Sequence, residues 1–201
     1  INTIQRRGKY LIFTTATGHV LLHLGMSGSL RLTKASEPLR RHDHIELDSD
    51  SGWTLRFHDP RRFGCVLWFS QPPEEHPLLA TLGPEPLEGD FSGHYLFQRS
   101  RGRSAPIKSF LMDSHMVVGV GNIYANEALF HAGIHPLRAA GRISEARYEQ
   151  LAIAIRQILS KAIQQGGTTL RDFVNSQGEP GYFQQALDVY GRSGQPCHHC
   201  R

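Results

Sequence analysis

The sequence predicts an α+β protein with a β-sandwich first and helices after it, and three observations carry that prediction. Between Lys9 and Phe69, β-branched and aromatic residues recur in short runs broken by turn signals at Thr17-Gly18, Gly25, Gly28 and Asp48–Gly52. Two proline-rich stretches, Ser70–Pro77 and Gly83–Pro86, then interrupt every periodicity. Beyond them the period becomes helical, most clearly where Leu151, Ile155, Ile158, Leu159 and Ala162 form one apolar stripe that ends at Gly166-Gly167.

In chain order, Gln5–Phe13 reads as the entry to a strand. Strands are expected at Tyr10–Thr15, Val20–Leu24, Ser29–Leu32, His44–Leu47, Trp53–Phe57 and Val66–Phe69. Lys34–Arg41 is charged and aperiodic, which predicts a mobile loop. The sandwich is thus expected over 1–69 and a linker or hinge over 70–87. Helices are expected at Phe91–Gln98, Ile107–Met112, Ile123–Ala132 and Ser144–Gln165. Thr168–Gly181 is polar, and Tyr182–Arg192 reads as the start of a hairpin leading to Cys197 and Cys200.

The chain has 201 residues, 39% of them hydrophobic, enough for one large or two small cores. No apolar run approaches the roughly 20 residues needed to span a bilayer, and Ile1–Arg7 lacks a signal-peptide core, so a cytoplasmic location is expected. Lys and Arg total 22 against 18 acids, for a net charge of +4, which favours a polyanionic partner. Three cysteines are too few for a disulfide scaffold. Both ends read as cut, as though the chain were an internal piece.

The candidate chemistry is distributed. Gly119-Val-Gly-Asn122 resembles a turn feeding a helix capped by Asn122, whose outward N–H groups would hold a phosphate. Lys9 follows Arg6-Arg7, whose like charge would lower its pKa; a solvated strand terminus is the plainer reading. Asp59-Pro-Arg-Arg-Phe-Gly64 puts Arg61 and Arg62 beside Phe63, the parts of a wedge that fills the stack left by an extruded base. Met26, flanked by Gly25 and Gly28, is a second wedge candidate, although both Met26 and Phe63 could instead pack in the core. His42-Asp-His44 favours a phosphate or hydrogen-bonding role for His42 over zinc. Arg101, Arg103 and Lys108 extend the positive surface, and Cys65 reads as a small core residue. Cys197 and Cys200 have the spacing of half a zinc site, with His198 or His199 as a possible third ligand; a redox dithiol is less suited because the surrounding βαβ pattern is missing.

In order and spacing, these strings resemble bacterial formamidopyrimidine-DNA glycosylase. The carriers are Gln5-Arg-Arg-x-Lys-Tyr-Leu11, His23–Leu30, Asp59–Gly64, Gly83–Leu87, Val118–Ala125, Gln165–Leu170 and Pro180–Phe183 through Val189–Arg192. The resemblance implies an N-terminal β-sandwich, a helix-two-turn-helix domain over 88–183 and the first part of a zinc hairpin over 184–201, with DNA in the cleft between the domains. It implies removal of oxidised purines such as 8-oxoguanine and formamidopyrimidines from double-stranded DNA by a monomer, followed by β- and δ-elimination. The family's nucleophile, an N-terminal proline beside a glutamate, is not found in these residues, so the fragment by itself is expected to be inactive. By the same resemblance Lys9 does acid or electrostatic work near the sugar, and Met26, Arg61 and Phe63 fill the gap. DNA contacts fall to His42, Arg61, Arg103, Lys108 and Asn122, and Gln177, Gly178 and Tyr182 belong to a loop over the flipped base. Cys197 and Cys200 supply two of four ligands to one zinc ion. The rivals are an endonuclease VIII-like enzyme for oxidised pyrimidines and a non-catalytic DNA-binding protein.

Overall fold

A computed structural model describes residues 1–167 and 187–200, which divide into two compact units, one holding 1–73 and 165–167 and the other 74–164 and 187–200. The expected loop residues Gln177, Gly178 and Tyr182 lie outside the described residues.

The first unit is the β-sandwich. Strands β1 (Thr3–Arg7), β2 (Tyr10–Thr14), β3 (His19–His23), β4 (Ser29–Lys34), β5 (Asp43–Asp48), β6 (Trp53–His58) and β7 (Cys65–Phe69) form two antiparallel sheets, ordered β1-β2-β3-β7 and β4-β6-β5. Ile12, Phe13, Leu21, Leu22, Phe57 and Phe69 are buried, and because successive strand residues point to opposite faces, β2 and β3 are covered on both faces at these positions. Every expected strand forms, with bounds shifted by a residue or two. Strand β1 is complete where only a strand entry was expected, so Lys9 sits on the Gly8-Lys9 turn of a hairpin closed by Arg7 opposite Tyr10. Gly8 takes φ +58°, the conformation that such a turn demands.

In the second sheet the covered alternate positions are polar. Arg31 and Arg56 are buried while Leu32 is half exposed. Arg31 donates to both carboxylate oxygens of Asp43 at 2.7 Å, and His58 Nδ1 approaches Asp43 Oδ1 at 2.9 Å. Burial pushes the Asp43 carboxyl up, but hydrogen bonds from Arg31, the Arg40 backbone and His58 outweigh it and hold the pKa at about 2. Arg56 donates to the carbonyls of Glu37 (2.7 Å) and Pro38 (3.1 Å). The loop after β4, expected to be mobile, is therefore fastened over this sheet.

The second unit holds α1 (Pro77–Ala80), α2 (Gly93–Ser100), α3 (Ile107–Met112), α4 (Asn122–His131) and α5 (Glu145–Gln164). The apolar stripe of α5 buries Tyr148, Leu151, Ile155, Ile158 and Ala162, and the helix packs on α2 and α4. Helix α2 starts two residues later than expected because Ser92 Oγ accepts the Tyr95 N–H at 3.0 Å as its cap. Residues 74–87, within the expected linker, belong to this unit. Leu79 and Glu85 are buried, the Gly83 N–H reaches the Ser114 carbonyl at 2.8 Å, and Arg156 of α5 donates to the Pro86 carbonyl at 3.0 Å. Residues 187–200 form successive turns in the same unit. No described helix is long and apolar enough to cross a membrane.

Candidate nucleic-acid interface

In the sandwich unit, two tight turns abut. The Met26 turn closes through the Gly28 N–H to the Leu24 carbonyl at 2.9 Å, with Gly25 at φ +66°. A Cβ on Gly25 would lie 2.5 Å from Gly64 N and from the Phe63 carbonyl carbon, so only glycine lets this turn rest on the Phe63 loop. Met26 is 59% and Phe63 62% exposed, which removes the core-packing alternative for both. Arg61 is exposed beside Phe63. Two large apolar side chains held out on glycine-bounded turns can enter a gap in a base stack.

Lys9 borders the same sheet end. Its pKa is lowered, but through desolvation by surrounding protein atoms rather than the expected repulsion from Arg6 and Arg7. Next to it, Tyr10 and His23 pair across the strands with ring centroids 4.9 Å apart, and His23 Nδ1 accepts the Gly25 N–H at 3.0 Å. Burial first, and then the charge of Lys9, lower the His23 pKa. Burial raises the thiol of Cys65, which faces His23 in the β3–β7 register, so it is not a reactive thiolate.

His42 takes φ +76°, uncommon for a residue with a side chain. Its ring meets those of His44 and His58 edge-on at 6.1 and 6.0 Å. Desolvation first, then the charges of Arg41, His58, His44 and Arg62, hold its pKa below the usual value. This focus of positive charge suits an anion. Among the described residues, the His42, Asp43 and His44 side chains do not converge as a metal cluster, and Asp43 is engaged by Arg31 and His58.

In the helical unit, Gly119 at φ +80° feeds the start of α4. The cap is Gly121, in an extended conformation and without a side-chain bond, so Asn122 is the first helical residue and not the expected cap. Its side chain turns outward instead: Nδ2 donates to the Tyr190 hydroxyl at 3.4 Å, and its backbone carbonyl accepts Asn126 Nδ2 at 2.9 Å. The first N–H groups of α4 thus have no side-chain cap, which leaves them suited to an external acceptor. Arg103 lies exposed on the loop between α2 and α3, and Lys108 is half-buried in the first turn of α3. The field of Arg103 is one of the lesser influences on Asp113, where hydrogen bonds from His115 outweigh burial and lower the carboxyl pKa.

The sequence reading missed the residues that order these turns. Glu127, 2% exposed on α4, accepts the N–H groups of Asp188, Val189 and Tyr190 at 2.8, 3.0 and 2.8 Å. Asp188 then meets His131 Nε2 and His198 Nδ1, both at 3.0 Å. The hydrogen bond from His198 leads the factors that lower the Asp188 carboxyl pKa, against the effect of burial. Glu127, His131 and Asp188 have the atom types of a metal cluster, but three N–H donors occupy the Glu127 oxygens, so the group is a latch. A carboxylate among the buried Ala125, Ala128 and Leu129 was the legible signal. Asp59, buried in the wedge motif, is the other omission.

Cys197 and Cys200 are free thiols in mutual contact. The N–H groups of Cys200 and His199, then the Cys200 thiol, lower the Cys197 pKa, and the same thiol contact raises that of Cys200. The His199 N–H lies 3.4 Å from Cys197 Sγ. His198, one candidate third ligand, has its Nδ1 on Asp188.

Comparison with known proteins matches residues 1–66 to the formamidopyrimidine-DNA glycosylase N-terminal domain and residues 82–174 to the formamidopyrimidine-DNA glycosylase H2TH domain. The chain is 61% identical over 201 residues to a formamidopyrimidine-DNA glycosylase of Stenotrophomonas maltophilia and 58% identical over 200 residues to one of Methylococcus capsulatus, spanning 74% of each. The MutM (Fpg) protein of Thermus thermophilus superposes with a TM-score of 0.89 at 40% identity, over 98% of this chain and 73% of that one. A Lactococcus lactis FPG variant in complex with a Fapy-dG containing DNA gives the same TM-score at 34% identity, with the same coverage.

Proposed function

The chain belongs to the formamidopyrimidine-DNA glycosylase family, and from that premise we propose that the protein removes oxidised purines from double-stranded DNA. 8-Oxoguanine and formamidopyrimidines are the proposed substrates, excised through a Schiff base with subsequent β,δ-elimination. The observation that carries this reading is the pair of exposed apolar side chains, Met26 and Phe63, on abutting turns beside Arg61. A base inside the duplex is out of reach, and extruding it costs a few kcal/mol of stacking. Side chains that occupy the vacated space offset that cost.

The remaining groups divide the work. His42, Arg61, Arg103, Lys108 and Asn122 hold phosphates, which fixes register without reading sequence. Lys9, whose amine gives up its proton more readily than an ordinary lysine, moves protons or steadies charge near the sugar. Gln177, Gly178 and Tyr182 cover the extruded base. The reacting amine is not assigned to any residue of this chain. Zinc is the proposed cofactor, with Cys197 and Cys200 as two of its four ligands, and when bound it supplies a structural cross-link. Glu127 and Asp188 tie the adjoining backbone to α4. The same reading makes the protein a cytoplasmic monomer.

Borohydride trapping tests the chemistry. Full-length protein incubated with an 8-oxoguanine·C duplex and borohydride should yield a covalent protein–DNA adduct; binding without an adduct would favour a non-catalytic lesion-recognition protein.

A further inference from the structure

We infer that Asp59 is the positioning residue of the base-gap group, its single buried carboxylate holding the Met26 turn and the Phe63 loop in fixed relation. The inference rests on the function proposed above. Asp59 is 1% exposed although it heads a surface loop. Its Oδ2 accepts the Gly64 N–H at 2.8 Å, and its Oδ1 accepts the Ser27 hydroxyl at 3.4 Å. Ser27 directly follows Met26 and Gly64 directly follows Phe63, so each oxygen grips the neighbour of one wedge residue. The Asp59 backbone extends the connection, donating to the His42 carbonyl at 3.0 Å and accepting from His44 Nε2 at 3.0 Å and the Arg62 N–H at 3.3 Å.

A carboxylate suits this place because it accepts from two donors at once while exposing nothing to DNA. Its loss strands the Gly64 N–H and the buried Ser27 hydroxyl, and Met26 and Phe63 then no longer share one register. Phosphate contacts on the helical unit do not depend on it.

The test is the affinity of the full-length protein for a duplex carrying a stable abasic analogue opposite cytosine, divided by its affinity for the intact duplex. Asp59→Ala should lower this ratio about ten-fold, the effect of stranding buried polar groups. Affinity for intact duplex should stay within about two-fold, because phosphate contacts govern it. Asp59→Asn should restore the ratio, since its amide oxygen can accept from Gly64 while its NH2 donates to the Ser27 hydroxyl. The fluorescence of 2-aminopurine beside the gap should change on binding with wild type and Asp59→Asn but not with Asp59→Ala. An Asp59→Ala protein that keeps the wild-type ratio overturns the inference alone, whereas a wild type that does not prefer the abasic duplex overturns the functional reading with it. If Asp59→Ala does not fold, Ser27→Ala carries the test, with about a three-fold loss expected from removing the weaker arm; an unchanged ratio overturns the inference.

Discussion

Met26 and Phe63 are exposed on two turns that abut at Gly25, where a Cβ would clash with the Phe63 loop. If they fill the gap, Phe63→Ala should cut excision of 8-oxoguanine about ten-fold, as loss of a buried aromatic anchor does, with affinity for intact duplex unchanged. Single-turnover rates set beside binding curves check this; equal losses in both would make Phe63 a general contact. Lys9 gives a pH prediction. Because desolvation lowers its pKa, any step that needs protonated Lys9 should fail as pH rises through a value below the ordinary lysine range. Lys9→Arg keeps the charge but cannot release the proton, so it should lose about a hundred-fold in rate and flatten the alkaline limb. A full-rate Lys9→Arg protein would reduce Lys9 to a phosphate contact.

Among the elements, the β4-β6-β5 sheet departs furthest from what alternation alone suggests. Its covered positions carry Arg31 and Arg56, made tolerable by Asp43, Glu46 and the carbonyls of Glu37 and Pro38. Asp43 is ionised more readily folded than unfolded, so its contribution to stability is fully present above the unfolded carboxyl pKa, near pH 4, and lost as pH falls through about 2. Acid titration of unfolding should show that loss, and Asp43→Asn should remove it. Asp43→Ala should cost on the order of 3 kcal/mol in denaturant unfolding, because it leaves Arg31 buried and unpaired. In the helical unit the Glu127 latch gives a local signature. Glu127→Ala should speed hydrogen exchange at the Asp188, Val189 and Tyr190 amides by at least about ten-fold, since each loses its acceptor. Unaltered protection there would mean that the latch does not hold the segment.

For the molecule as a whole, the sequence disclosed what depends on near neighbours. Short β-branched and aromatic runs bounded by turn signals located β2 to β7, and the α5 stripe was readable because each buried side chain recurs within one or two turns. β1 was read only in part because Thr3–Arg7 is a polar, exposed edge strand without apolar alternation. Asn122 follows the cap instead of forming it, because Gly121 fills that place through backbone geometry that leaves no side-chain mark. The role of Glu127 is not legible locally because the N–H groups it accepts lie 61 to 63 residues further along the chain. Asp59 gives no local sign of its burial, because its partners Ser27 and Gly64 meet it only through the packing of two turns. The central claim is that Met26, Arg61 and Phe63 serve oxidised purines. Its most direct test is kcat/KM of the full-length protein on 8-oxoguanine·C against thymine glycol duplexes. At least about a ten-fold preference for 8-oxoguanine is expected, and a preference for thymine glycol would contradict it.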